Sequence, residues 1–139
     1  MAPLPARKSR EIILQMLYSL DMEGSKEQLI PLMMKEIAIS KKKATLAINE
    51  AISVLEKKNI IDPIIYKNTK KGLTGHIQKL EYNILRLAIY EYYLKKTNLN
   101  YKIIITEAIR LTNKFSNAEA TSFINAVLDK IFTENEKIN

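Results

Sequence analysis

The sequence predicts an all-α protein, and three observations support this class. Apolar residues recur at i, i+3, i+4 and i+7 along most of the chain, which is the period of an amphipathic helix. The 139 residues include only three glycines, and 47% are hydrophobic, a composition typical of a globular helical chain. Only residues 102–106 (KIIIT) suggest a strand, and their continuation is helical. At this length we expect a single domain with one core.

The first helix is predicted over about residues 5–22 and is ended by Gly24. Ser25 with Gln28 forms a capping-box pattern, which predicts the start of a second helix. Pro31 is unfavourable there, because it falls after the first turn. The apolar stripe of the first helix consists of Ile13, Met16, Leu17 and Leu20.

Ser40 is placed to cap a third helix. Asp62 and Pro63 together predict the start of a fourth, because aspartate is a good N-cap and proline is tolerated at the first helical position. Gly72 and Gly75 mark a hinge or boundary. The apolar face of the third helix consists of Ala44, Ile48, Ala51, Ile52 and Leu55.

Three more helices complete the prediction, over about residues 77–96, 101–115 and 117–134. The fifth has Leu85, Ala88, Ile89 and Tyr92 at helical spacing. Ser116 with Glu119 forms a second capping-box pattern ahead of the last helix. The sequence therefore predicts about seven helices.

The charge and the composition limit the classes of function that the protein can have. The net charge is +7, from 22 basic and 15 acidic residues, which favours a polyanionic partner such as nucleic acid. The chain has no cysteine, so disulfides and thiolate chemistry are excluded, as suits a reducing cytosol. We find neither a signal-peptide pattern nor an apolar run of the roughly 18 residues that a membrane span needs. We expect a soluble, cytoplasmic protein.

Enzyme chemistry has little basis in this sequence. The single histidine, His76, lies in a glycine-flanked loop and is expected to be a loop or surface residue. There is no glycine-rich phosphate loop and no serine elbow. Glu91, Glu107 and Asp129 lie beside apolar positions, and we expect Arg86, a lysine or backbone donors to satisfy them. We predict no catalytic residues, no metal, no cofactor and no enzymatic activity.

Binding residues are easier to find. Arg7, Lys8 and Arg10 occupy the first turns of the first helix, where cations oppose the helix dipole. A phosphate-rich partner would relieve this cost, and a solvated helix end is the alternative interpretation. Phe115 and Phe123 flank a polar loop and could stack on unpaired bases. Core packing is the alternative role for at least one of them.

Four segments spread over residues 6–131 form a joint pattern: ARKSREIILQMLYSLD, LEYNILRLAIYE, YKIIITEAIRLTNKF and FINAVLDKI. In this order they resemble the NusB family of bacterial transcription antitermination factors. Residues 23–79 match weakly. The resemblance implies one domain built of two perpendicular helical bundles, over about residues 1–58 and 59–139.

The resemblance also implies a function and a set of site residues. Family members bind the boxA element of ribosomal-RNA leader transcripts jointly with NusE, a small-subunit ribosomal protein. The complex joins RNA polymerase and suppresses premature termination. By position, Tyr18 and Glu81 match the side that meets NusE. The residues that match the family's RNA-binding surface are Arg7, Lys8, Arg10, Gln15, Lys102, Lys114, Phe115, Glu119 and Phe123.

The chain departs from the family pattern at four positions. Thr106 replaces a usual asparagine, Ser116 and Ala126 replace usual glycines, and Gly72 falls where many relatives have tryptophan. We expect Asn117 to supply the left-handed conformation that Ser116 disfavours. The departures bear on loop shape and RNA preference more than on the fold.

Two polar residues of the last helix, Asn125 and Asp129, are expected to brace that helix.

Two other functional classes stay open: a helical protein-interaction module, or an RNA-binding accessory subunit of an enzyme that modifies ribosomal RNA. The sequence leaves open whether the protein is a monomer or a homodimer.

Overall fold

A computed structural model describes residues 6–69, 77–95 and 98–134, and all regular structure in these ranges is helical. The predicted all-α class is confirmed. The described residues form seven α-helices and one π-helical turn, Tyr90–Leu94. The α-helices are α1 (Ala6–Asp21), α2 (Lys26–Ile37), α3 (Lys41–Glu56), α4 (Lys58–Lys67), α5 (Lys79–Ile89), α6 (Tyr101–Phe115) and α7 (Ala118–Thr133).

The chain divides into two compact units, Met1–Glu56 and Lys57–Asn139. In the first unit, α1 and α2 both pack against α3. In the apolar stripe of α1, Ile13, Met16 and Leu17 are buried and Leu20 is half-buried. Met16 and Leu17 are fully inaccessible, as are Ala44, Ile48, Ala51 and Val54 of α3. The amphipathic periods of α1 and α3 thus meet in one core.

Serine caps begin α2 and α3, as predicted. The Ser25 hydroxyl oxygen accepts a hydrogen bond from the Gln28 amide at 3.3 Å, and the Ser40 hydroxyl oxygen accepts one from the Lys43 amide at 3.2 Å. Pro31 lies inside α2 and is exposed. Water can therefore reach the carbonyl that a proline leaves without its helical donor.

The end of α1 shows why Gly24 follows it. The Gly24 amide donates to the Ser19 carbonyl at 2.7 Å, and the Glu23 amide donates to the Leu20 carbonyl at 3.1 Å. These two bonds define a Schellman motif, with Glu23 in the left-handed position at φ 72°. A Cβ added to Gly24 would lie 2.7 Å from the Ser19 carbonyl oxygen. The turn needs a glycine because the backbone approaches so closely.

The predicted start of the fourth helix is wrong. Helix α4 begins at Lys58 and contains Asp62 and Pro63 in its interior. The Asp62 carboxylate accepts hydrogen bonds from Arg86, 24 residues further along the chain. The Asp62 carboxylate was expected to cap the helix, but it forms a long-range ion pair instead.

The predicted fifth helix is an α-helix followed by a π-helical turn. Helix α5 starts after Gln78 without a side-chain cap, and the Lys95 amide closes the π turn on the Tyr90 carbonyl at 2.9 Å. The wider turn lets two consecutive tyrosines, Tyr92 and Tyr93, face the buried Phe132 ring, with centroids 4.8 Å and 5.8 Å away. His76, Gly72 and Gly75, for which a loop and hinge were predicted, lie outside the described residues.

In the second unit, α6 packs against α5 and α7, and α4 packs against α5. Helix α6 has the predicted bounds, and α7 starts one residue late. The predicted Ser116–Glu119 capping box is wrong, because the Asn117 side-chain oxygen accepts from the Ala120 amide at 2.9 Å. Asn117 has φ −140° and Ser116 has φ −137°. The expectation of a left-handed Asn117 is therefore also wrong.

Candidate nucleic-acid interface

The basic residues of α1 lie at a helix end whose first turn contains no carboxylate. Arg7 and Lys8 are exposed and Arg10 is half-buried. Arg7 and Arg10 also make interactions within the protein. These cations stand at the positive end of the helix dipole, so an anionic partner would relieve their repulsion.

Gln15 and Tyr18 follow Arg7 along one side of α1. At 100° per residue, the three positions fall within a sector of about 80°. Gln15 is half-buried, and Tyr18 is 38% exposed. A rise of about 1.5 Å per residue places Tyr18 roughly 16 Å along the axis from Arg7. The aromatic ring and the basic turn thus share a face but occupy opposite ends of it.

In the second unit, four predicted site residues gather around the link between α6 and α7. Lys114 is exposed, with its Nζ 5.8 Å from the centroid of the half-buried Phe115 ring. Glu119 is exposed and Phe123, one turn later on α7, is half-buried. A cation, two accessible aromatic rings and a carboxylate therefore surround a two-residue link.

A side-chain hydrogen bond spans this link. The Thr121 hydroxyl donates to the side-chain oxygen of Asn113 at 2.8 Å, which ties α7 to the end of α6. Lys102 lies apart from this group. It is exposed in the first turn of α6, and 12 residues of helix separate it from Lys114, a distance of roughly 18 Å.

Glu81 lines a cleft beside the same link. The cleft has a volume of about 350 Å³. Glu81 is only 7% exposed, and within the described residues its carboxylate accepts no hydrogen bond. The α5 and α7 N-termini both contribute to the cleft, since it is lined by Gln78, Leu80, Glu81, Ser116, Asn117, Glu119 and Ala120. The sequence did not reveal this cleft, because its two halves are more than 30 residues apart.

An ion pair fixes the helix that presents Glu81. The Arg86 Nε and Nη2 atoms each donate to Asp62 at 2.8 Å, and Nη1 donates to the Asn83 side-chain oxygen at 3.1 Å. The Arg86 Cζ lies 4.2 Å from the centroid of the Tyr82 ring. Burial above all, and the neighbouring Tyr66 and Asp62, raise the pKa of the Tyr82 hydroxyl above its usual range.

The three carboxylates singled out in the sequence have different surroundings. Glu107 pairs with Arg110, whose Nε lies 2.9 Å from Oε2, and Glu91 is buried with interactions of its own. Asp129 is exposed, as is Asn125. Neither side chain hydrogen-bonds a described residue, so the prediction that they brace α7 is wrong.

Two features are absent from the described residues. Within residues 6–69, 77–95 and 98–134, no group of three or more metal-ligating side chains is present. In the same ranges, no helix has the length and apolarity needed to cross a bilayer.

The fold and the interface together define a small, basic, all-helical protein whose accessible cations and aromatic rings lie near helix ends. Comparison with known proteins identifies the family. The family model described as "NusB family" matches residues 7–133. The chain belongs to the NusB family.

Individual relatives agree with this assignment. The transcription antitermination protein NusB of Chlamydia pneumoniae is 45% identical over 131 residues, which are 94% of this chain and 81% of the relative. NusB of Chlamydia muridarum is 31% identical over 135 residues, covering 95% and 82%. The solved structure of T. maritima NusB superposes with a TM-score of 0.76 at 24% identity, covering 96% and 94%, which establishes the shared fold.

Proposed function

We propose that this protein is an RNA-binding antitermination factor. It binds boxA-type leader RNA of ribosomal-RNA operons together with the ribosomal protein NusE, and the complex keeps RNA polymerase processive. The observation that supports this most is the family membership, joined with a basic, carboxylate-free first turn of α1. The net charge of +7 agrees with a polyanionic partner.

The RNA-binding residues divide by chemistry. Arg7, Lys8 and Arg10 contact phosphates at one end of α1, with Gln15 beside them as a polar contact. Lys102 and Lys114 do the same on α6. Such contacts position the RNA without reading its sequence.

The aromatic pair Phe115 and Phe123 binds bases. Both rings are half-buried, so each is held by the protein and still offers part of its surface. Stacking on aromatic rings suits single-stranded RNA, whose unpaired bases are free to be splayed out. Glu119, one turn before Phe123, offers an acceptor for a base amino group.

The protein partner meets Tyr18 and Glu81. Tyr18 is accessible enough to pack against a protein surface. Glu81, at 7% exposure, is reached through the cleft. A partner that uses both residues must therefore insert a side chain at Glu81.

The RNA contact is tested by the double variant Arg7→Ala/Arg10→Ala. We expect weaker binding of a boxA-type oligonucleotide and a shallower dependence of log K on log salt, by about 0.7 for each lost phosphate contact on a single strand. A gel-shift titration at several salt concentrations, with and without NusE, measures both quantities. The control is Lys35→Ala/Lys67→Ala, which removes two exposed cations outside the proposed interface.

The same titration separates the competing functions. A wild-type protein that binds boxA-type and scrambled oligonucleotides equally well would point to a protein-interaction module. An unchanged salt slope in the Arg7→Ala/Arg10→Ala variant would remove the α1 end from the RNA site.

A further inference from the structure

We propose that a tyrosine cluster in the second unit is an additional base-stacking platform, which binds nucleotides that flank the boxA-type element. The cluster consists of Tyr92, Tyr93 and Tyr101, whose rings all pack against the ring of Phe132. The inference rests on the proposed function, since it concerns the same single-stranded RNA. Its new content is a second set of aromatic rings, at the opposite end of α6 from Phe115.

The three tyrosine rings are accessible, although they pack together. Each tyrosine is half-buried, whereas the Phe132 that they contact is only 2% exposed. The Tyr93 hydroxyl donates to the Ile131 carbonyl at 3.5 Å, and no hydroxyl of the cluster is a buried group without a partner. Tyrosine suits such a position because its ring packs against apolar atoms while its hydroxyl stays in contact with water. The cluster therefore offers aromatic surface to a ligand.

The rings hold one another in place. The Tyr92 centroid lies 4.9 Å from that of Tyr93 and 6.4 Å from that of Tyr101, with interplanar angles of 79° and 83°. Edge-to-face packing of this kind is a favourable aromatic geometry. Rings that are already ordered lose little conformational entropy when a base stacks on them. Stacked bases lie roughly 3.4 Å apart along a strand, so a cluster of this size serves about two or three bases.

The charges around the cluster favour a polyanion. Lys95 directly follows the π-helical turn and Lys102 follows Tyr101, and both lysines are exposed. The first turn of α6 contains no carboxylate. The one carboxylate of the π-helical turn, Glu91, is buried and has interactions of its own, and residues 129–133 of α7 contribute one lysine and one aspartate. Basic side chains beside accessible aromatic rings are typical of single-strand binding sites, so we favour RNA over a protein segment as the occupant.

The platform continues the proposed RNA interface. Lys102 already belongs to that interface, and it adjoins Tyr101 in the first turn of α6. Helix α6 has 15 residues and is roughly 22 Å long, which is about the length of six stacked nucleotides. A strand that stacks on Phe115 and passes Lys102 therefore reaches the whole cluster only with nucleotides beyond those bound along α6.

Extended RNAs test the platform. The affinity of a boxA-type oligonucleotide is compared with those of two longer RNAs, which have three extra uridines at the 5′ end or at the 3′ end. We expect only one extension to tighten binding, by about ten-fold, since the cluster lies at one end of α6. Abasic residues in place of the extra uridines keep the phosphates and remove the bases, and should abolish most of the gain.

Two results of this comparison would overturn the platform and leave the proposed function intact. One is an equal gain with uridines and with abasic residues, which would mean a purely electrostatic contact. The other is the absence of any gain from either extension.

Variants separate stacking from packing. Tyr92→Leu keeps an apolar side chain against Phe132 and removes the aromatic face. We expect it to remove the gain from the extension and to leave the affinity for the unextended oligonucleotide unchanged. Tyr92→Phe is the matched control, which keeps the ring and should keep the gain. A Tyr92→Leu variant that binds short and extended RNAs equally less well would show that the ring only supports the fold.

Photo-crosslinking tests the platform in the wild type. A 5-iodouridine in the favoured extension should crosslink to Tyr92, Tyr93 or Tyr101, which mass spectrometry of the digested complex would identify. Crosslinks confined to residues outside the cluster would overturn the platform. Wild-type affinity of Tyr92→Leu for all the RNAs, combined with weaker binding of NusE, would assign the cluster to the protein partner instead. Failure of the wild type to bind any of these RNAs would refute the proposed function, and the platform with it.

Discussion

Arg86 and Asp62 form a bidentate ion pair between α5 and α4, with both N–O distances at 2.8 Å. The Arg86 side chain is 7% exposed and the Asp62 side chain 20%. The pair also orients α5, whose first turn presents Glu81 to the cleft. A structural contact within the second unit thus supports the position of a proposed binding residue.

Removing one partner of this pair should be strongly destabilising. Arg86→Ala leaves Asp62 and Asn83 without their guanidinium donor, and we expect it to lower the free energy of unfolding by about 3 kcal/mol. Urea denaturation measures the change. The matched control is Arg110→Ala, which breaks the i,i+3 pair with Glu107 inside α6 and should cost less, because this pair joins residues of one helix and not two helices. Equal losses in the two variants would contradict the special role of Arg86.

Tyr82 should make stability fall in alkaline solution. Burial raises the pKa of its hydroxyl, so the unfolded chain releases this proton first, near its ordinary pKa of about 10. The contribution is fully present below pH 10 and is lost as the pH rises above it, at about 1.4 kcal/mol per pH unit. Tyr82→Phe keeps the ring beside Arg86 and should flatten this decline. Parallel stability curves for the two proteins above pH 10 would refute the assignment.

Substitutions that add or remove a glycine at the ends of α1 and α2 should change stability in opposite directions. Ala38 ends α2 in the left-handed conformation at φ 58°, which strains a side chain, so Ala38→Gly should stabilise the protein by up to about 1 kcal/mol. Gly24→Ala should destabilise it by more than about 1 kcal/mol, because its Cβ would meet the Ser19 carbonyl oxygen at 2.7 Å. Thermal unfolding of both variants would reveal the predicted opposite signs, and equal signs would rule out this account.

Phe123 should contribute stacking energy without changing the salt dependence. Phe123→Leu retains an apolar side chain but removes the aromatic face. We therefore expect the free energy of RNA binding to become less favourable by about 1–3 kcal/mol. The slope of log K against log salt should stay at the wild-type value, since no phosphate contact is lost. Phe123→Tyr is the control that restores the ring. A Phe123→Leu variant with wild-type affinity would confine Phe123 to a packing role.

Local patterns predicted the helices well where local chemistry decides their ends. Ser25 and Ser40 cap their helices as expected, because an N-cap needs only an amide two or three residues away. The start of α4 was missed because Asp62 has a stronger partner 24 residues away. Near the last helix, two neighbouring polar residues competed for one cap, and Asn117 rather than Ser116 occupies it.

The candidate site was predictable only in part. Charge and aromatic position indicated Arg7 and Phe115, and the family resemblance added Lys114 and Glu81. Neither indicated that Glu81 and Glu119 share a cleft, because that depends on how α5 meets the link between α6 and α7. Asn125 and Asp129 were predicted to brace the last helix, yet both side chains are exposed.

The π-helical turn at Tyr90–Leu94 makes this part of the chain sensitive to length. The turn contains one residue more than an α-helical turn would. Deleting a residue of the turn that precedes Tyr93, such as Glu91, would restore a regular helix and rotate the residues after it by about 100°. Tyr93 would then point away from Phe132. Relatives should accordingly vary in residue type across this turn more readily than in the number of residues it contains.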